Sequence, residues 1–161
     1  MACYSVWNEE ERLPLSIRSI EHYVDKILLI DGRYKGFADE LPVNSTDRTL
    51  EVANKFKNVE IIKCTEPLEI YDKFNLFWTI DADWYLWLDC DEILYGEVRD
   101  AFYHVRSKPD VPIWTIKTYT TLWNLYYGKD FPIPKIFRKG CGFKFCKEHA
   151  PYYDQYGNQV C

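Results

Sequence analysis

The sequence predicts an α/β protein with a mostly parallel sheet flanked by helices, and three observations carry that expectation. Short apolar runs alternate with segments of helical spacing, in the order βαβαβαβ, over the first two-thirds of the chain. One run, KILLID (26–31), is apolar almost throughout, as a strand buried on both faces must be. Polar groups stand directly after three of the runs: Asn8 and Glu9, then Asp31, then Asp89 and Asp91. Open parallel sheets bind ligands beyond the carboxyl ends of their strands, so this placement predicts a site there.

The elements follow in order. Residues 2–7 (ACYSVW) form a short apolar strand. NEEERLPLSIRSIEHYV then sets Leu13, Ile17, Ile20 and Val24 at helical spacing, with acids crowding its start and Pro14 in the first turn, where a missing N–H matters least. After Asp31 the pattern breaks for GRYKGFADELPVN, a long connection for a βα unit. STDRTLEVANKF opens on a Ser/Thr/Asp cap cluster and continues as an amphipathic helix. VEIIKCT (59–65) is the third strand, residues 68–82 read as helix, and YLWLD is the fourth strand. The last third is less regular: EVRDAFYHVR reads as a helix, PIWTIKTYTTLWNLYY as one long strand or two short ones, and KIFRK as a short strand. No repeat or linker marks a second folding unit, so 1–161 is expected to be one domain.

Composition narrows the partners. A 47% hydrophobic and 28% charged chain suits a globular protein with a sizeable core. The 17% aromatic share, with 13 Tyr and 6 Trp, suits stacking on sugars or bases as well as core filling. A formal charge of −5 argues against a nucleic-acid backbone as partner, but leaves room for one nucleotide neutralised by a metal. The opening MACYSVWNEEERLP lacks the basic flank and apolar stretch of a signal peptide. No window approaches ~18 uninterrupted apolar residues. The expected location is therefore cytoplasmic, with peripheral membrane association left open, and the six cysteines are expected to be free thiols.

Asp89-Cys90-Asp91 closes the apolar run WYLWL. In an extended segment residues two apart share a face, so both carboxylates would point the same way and repel. Either water solvates them at an ordinary strand end, or a cation sits between them. Hard ions such as Mg²⁺ or Mn²⁺ take one or two carboxylates together with substrate phosphates. Cys90, pointing oppositely, reads as a core thiol.

Context bears on that choice. The block KFNLFWTIDADWYLWLDCDEIL resembles the helix–strand–DxD segment of family-2-type nucleotide-sugar glycosyltransferases with the GT-A fold. WNEEERLPLSIRSIEHYVDKILLIDG resembles the first βαβ unit of that family, and NSTDRTLEVANKF its Ser-Thr-Asp-x-Thr helix start; the likeness covers roughly residues 2–95. It implies transfer of a sugar from a nucleoside-diphosphate donor (UDP or GDP type) to a hydroxyl of a carbohydrate, lipid-linked or protein acceptor. It implies that Asp31 contacts the base or ribose, that Trp7, Asn8 and Glu9 line the nucleoside pocket, and that Lys73 faces the phosphates. Asp89 and Asp91 would hold Mn²⁺ or Mg²⁺, with Asp91 the closest ligand at the catalytic centre. The family usually joins Asp-x-Gly-Ser-Thr-Asp tightly, whereas here RYKGFADELPVN intervenes. That insertion is expected either to carry Asp47 and Arg48 away from the nucleotide or to form a lid or acceptor-binding loop.

Downstream, PKIFRKGCGFKF resembles the family segment that precedes a histidine ligand, which implies His149 as the third metal ligand. Glu148 beside it is the acid available as a base for the acceptor hydroxyl, with inverting or retaining outcome left open. Residues 1–95 are thus assigned to donor binding and 96–161 to metal and acceptor. A rival reading of the tail joins Cys141, Cys146, His149 and Cys161 in a zinc site. A rival to the whole is a nucleotide-sugar or carbohydrate-binding module without turnover.

Overall fold

The computed structural model describes residues 1–118, 121–122, 125–126 and 131–143. Its first half follows the predicted alternation: β1 (Ala2–Val6), α1 (Leu13–Ile20), β2 (Ile27–Asp31), α2 (Thr49–Ala53), β3 (Val59–Lys63), α3 (Ile70–Asn75), a 3₁₀ turn (Leu76–Thr79) and β4 (Trp84–Leu88). After α4 (Val98–Ser107) come β5 (Ile113–Thr118), the short antiparallel pair β6 (Thr121–Leu122) and β7 (Leu125–Tyr126), and β8 (Phe131–Arg138).

Six strands form one sheet in the order β3-β2-β1-β4-β8-β5. The first four are mutually parallel, while β8 runs antiparallel to both β4 and β5. The sheet is therefore mostly parallel, as predicted. Side-chain alternation splits the core into two layers. Ala2, Tyr4 and Val6 of β1 join Leu13, Ile17, Ile20, Ala53 and Val105 on one face, under α1, α2 and α4. Cys3, Leu28 and Ile30 join Phe74 and Phe77 on the other, under α3 and the 3₁₀ turn. All five residues of β2 are buried, which is why its sequence shows no alternation. Cys3, Cys64, Cys90 and Cys141 are free thiols.

Three local expectations are corrected. The helix read over 68–82 stops at Asn75 and tightens into the 3₁₀ turn, and Ile80 is already extended. Phe74 and Phe77 must both reach the sheet, and a tightened turn brings residues three apart into line; their rings stack at 5.9 Å. No acid lies in the first turn of α1, because Glu9, Glu10 and Glu11 belong to the connection ahead of it, although Pro14 does occupy its first turn. α2 is only five residues long, and of the Ser/Thr/Asp cluster it is Asp47 that bonds its start, Oδ1 accepting the Thr49 N–H at 2.9 Å, while the Ser45 hydroxyl donates to Asp31.

Candidate functional site

The strand order reverses between β1 and β4, the point at which open α/β sheets bind ligands beyond the strands' carboxyl ends. β1 ends at Val6, and Asn8 takes a left-handed backbone (φ 56), a conformation asparagine tolerates better than most residues. The turn sends Asn8 towards the segment that precedes α2. Asn8 Oδ1 accepts the N–H of Thr46 at 2.8 Å, and the N–H of Asn8 donates to Ser45 Oγ at 2.9 Å. The N–H of Glu9 donates to Thr49 Oγ1 at 2.6 Å, and that of Glu10 to Asp47 Oδ2 at 3.1 Å. Glu10 in turn accepts from the N–H of Arg48 at 2.9 Å. Asn8-Glu9-Glu10 and 45–49 are thus laced together rung by rung. Burial opposes ionisation of Asp47, but hydrogen bonds from Thr49 and the Glu10 N–H outweigh it and hold this carboxyl below its usual range.

The insertion leaves Asp47 bonded to the Glu10 N–H just after β1. The chain leaves at Arg33 and returns at Val43, where the Arg33 N–H donates to Val43 O at 2.7 Å. Asn44 Nδ2 locks the neck by donating to Asp31 O (3.1 Å) and Cys64 O (3.0 Å). Inside the excursion the Arg33 side chain is buried, and its guanidinium donates to the carbonyls of Leu41, Phe37 and Asp39 at 3.0, 3.2 and 3.3 Å. One buried cation therefore satisfies the turn from within. Trp7 is tied to the same excursion: Nε1 donates to Pro42 O at 3.2 Å, and its ring lies 5.3 Å from that of Phe37.

Asp31 and Lys73 are both fully buried at the strand ends. Asp31 Oδ1 accepts from the N–H of Ser45 (3.0 Å) and from its hydroxyl (2.6 Å), so its carboxylate is turned towards the laced segment. Lys73 Nζ donates to Val6 O at 3.1 Å and to Gly32 O, and it lies 4.6 Å above the Tyr34 ring. Burial pushes its pKa down to about 8, with Cys64, Asp31 and Cys90 partly offsetting that. The ammonium thus ties the ends of β1 and β2 together instead of facing an open cleft. Gly32 is required here: a Cβ would stand 2.7 Å from both Cβ and Sγ of Cys64.

The acids after β4 are not extended, which corrects the premise of a shared strand face. The strand stops at Leu88, and the N–H of Glu92 donates back to Asp89 O at 3.0 Å, closing a turn over Asp89-Cys90-Asp91-Glu92. The turn is tightened by Glu92 Oε2 accepting the Asp89 N–H at 2.9 Å. Asp89 and Asp91 are both exposed, while Cys90 is buried as expected, its thiol 3.5 Å from Ser5 O. Burial pushes the Cys90 pKa up, leaving it a neutral core thiol. Glu9, just after β1, has its carboxyl raised first by burial; Arg12 opposes this, and the charges of Asp91, Asp47 and Asp89 add to it. The acid turn follows the strand beside β1, and Cys90 within it reaches Ser5 O, while Glu9 and Glu10 bond Thr49 and Asp47 of the 45–49 segment.

Sequence reasoning missed Lys135 and Arg33. Lys135 is buried on β8, with Nζ 2.7 Å from Glu92 Oε2, 3.4 Å from Asp89 Oδ2 and 4.5 Å over the Trp87 ring. A signal was available, since a lone cation in the otherwise apolar PIPKIF calls for an acid partner. Glu148, His149, Cys146 and Cys161 lie outside the described residues. Among the described residues no three His, Cys, Asp or Glu side chains are arranged to hold a metal. No described helix is long and apolar enough to cross a membrane. A cavity of about 850 Å³ opens at the amino ends of β1 and β4, lined by Met1, Trp84, Arg106 and Arg138, and takes no part in the site at the carboxyl ends.

A mostly parallel sheet reversing at β1, flanked by helices and completed by antiparallel β8, is a GT-A-like α/β fold. No protein-family profile and no curated sequence matches the chain. Solved structures of S. aureus TarS do. The 1–349 fragment superposes with a TM-score of 0.60 at 14% identity, over 87% of this chain and 47% of that one. TarS itself gives 0.61 at 14%, over 96% and 30%. The 1–349 fragment in complex with UDP-GlcNAc gives 0.60 at 16%, over 82% and 36%. At these identities the likeness is one of fold, and the chain spans less than half the length of each of these three structures.

Proposed function

We propose that this chain is the donor-binding core of a glycosyltransferase that takes a nucleoside-diphosphate sugar, of UDP type as in the similar TarS complex. The observation that supports it most is that Asn8-Glu9 and the Asp89–Glu92 turn follow the adjacent parallel strands β1 and β4, at the reversal of a GT-A-like sheet. In this reading the diphosphate lies over the end of β4 and the nucleoside runs across β1 towards β2. Trp7 borders the nucleoside. Asp31 acts through Ser45, holding the 45–49 segment that forms the floor, and Lys73 fixes the strand ends on which the floor rests.

Two exposed carboxylates in one turn fit Mg²⁺ or Mn²⁺, provided substrate phosphate and water complete the coordination. Asp91 is the freer ligand, because Asp89 also meets Lys135. When bound, the ion would neutralise charge developing on the departing diphosphate. His149 as a further ligand and Glu148 as the base for the acceptor hydroxyl belong to the same proposal.

Calorimetric titration with UDP, with and without Mn²⁺, tests the reading. We expect Mn²⁺-dependent UDP binding that Asp91→Asn weakens at least ~10-fold, and slow release of UDP from UDP-GlcNAc; an Asp91→Asn protein as active as wild type refutes it. A second reading is a nucleotide-sugar-binding module without turnover. Tight UDP-GlcNAc binding with neither hydrolysis nor transfer to any acceptor would select it.

A further inference from the structure

The 33–43 excursion is built rather than loose, and its position relative to the acids suggests its use. It rises from the end of β2, next to β1, while the acid turn follows β4 on the other side of β1. A nucleoside diphosphate with its phosphates over β4 would therefore extend its base towards this excursion. Arg33 holds it from inside through three carbonyls, and its neck is bonded to the backbone of Asp31. It fixes the Trp7 indole through Pro42 O and sets Phe37 against that ring at an interplanar angle of 48°. Phe37 is nonetheless 47% exposed, so part of its ring stays open to solvent beside Trp7.

We infer that Phe37 is a contact for the flat base of the donor, completing an aromatic wall with Trp7, and that Arg33 is the positioning residue that holds this wall ready before the ligand arrives. A preformed wall removes the ordering cost that a mobile lid would carry. Base–aromatic contact is tolerant of base identity, since every base has a π-face. The wall thus contributes affinity for a nucleotide over a bare diphosphate.

This rests on the donor site proposed above, and a pair of probes separates the two. Calorimetry with UDP and with inorganic pyrophosphate, both with Mn²⁺, is run on wild type, Phe37→Ala, Phe37→Tyr and Arg33→Met, with urea unfolding confirming that each is folded. Phe37→Ala should weaken UDP roughly 2- to 10-fold and leave pyrophosphate within about twofold. Phe37→Tyr should restore UDP binding, and Arg33→Met should weaken UDP at least as much as Phe37→Ala, again sparing pyrophosphate. Unchanged UDP affinity in Phe37→Ala, or parallel loss of both probes in the variants, overturns the inference. A wild-type protein that binds pyrophosphate no more weakly than UDP also overturns it, whereas one that binds neither probe overturns the donor-site reading itself.

Discussion

Replacing Lys73 by methionine removes a fully buried ammonium that donates to Val6 O at 3.1 Å and to Gly32 O. In the folded protein this group has its pKa lowered from 10.5 to about 8, chiefly by burial. The native state therefore disfavours the charged form. Below pH 8 the lysine is protonated in both states, and the desolvation cost is present in full. Between pH 8 and 10.5 the native protein sheds the proton while the unfolded chain keeps it, so stability rises with pH. The slope approaches about 1.4 kcal/mol per pH unit and the whole window amounts to about 3 kcal/mol. Buried thiols such as Cys3, pushed up to about 12 by burial, act in the opposite sense but do so in both proteins. Subtracting the Lys73→Met unfolding free energy from that of wild type leaves the lysine together with its smaller coupling to Cys64 and Cys90. Urea unfolding at half-unit steps from pH 7 to 10.5 should give a difference that is flat to about pH 8 and then climbs by about 3 kcal/mol. Two curves that stay parallel to within about 0.5 kcal/mol would show that Lys73 is not held at these carbonyls.

Gly32→Ala sets a methyl 2.7 Å from Cys64, where β2 and β3 end, and should destabilise the protein by about 1–3 kcal/mol in chemical unfolding; a variant as stable as wild type would mean the strand ends are further apart. Lys135→Met leaves Glu92 and Asp89 without their ammonium. Solvent screens the half-exposed Asp89 more than Glu92, so a loss of about 1–3 kcal/mol is expected, recovered largely by Lys135→Arg and detectable in urea melts. Ser45→Ala removes both the hydroxyl donor to Asp31 and the acceptor for the Asn8 N–H. It should loosen the laced segment by about 1–2 kcal/mol, seen as faster amide exchange at Asn8 and Thr46.

What the sequence determined by itself was local. Apolar runs and their spacing marked β1 to β4 and the helices between them, because the pleat and the helical turn impose their periods wherever one face is buried. The positions of Asn8, Glu9, Asp31, Asp89 and Asp91 just after strands were equally legible, since a strand end is marked by where apolar residues stop. The tertiary structure decided what those groups bond to. Asp31 is occupied by Ser45, fourteen residues on, and Lys73 by carbonyls of Val6 and Gly32. Asp89 is shared with Lys135 of an antiparallel strand whose neighbour no periodicity names. The insertion shows the limit most clearly: as sequence it separates Asp31 from Ser45, and in the fold it returns them to contact around one buried arginine. Spacing along a chain sets which face a residue occupies, whereas buried polar groups must find partners wherever the packed chain supplies them, and that pairing exists only after strands are ordered and the core has closed.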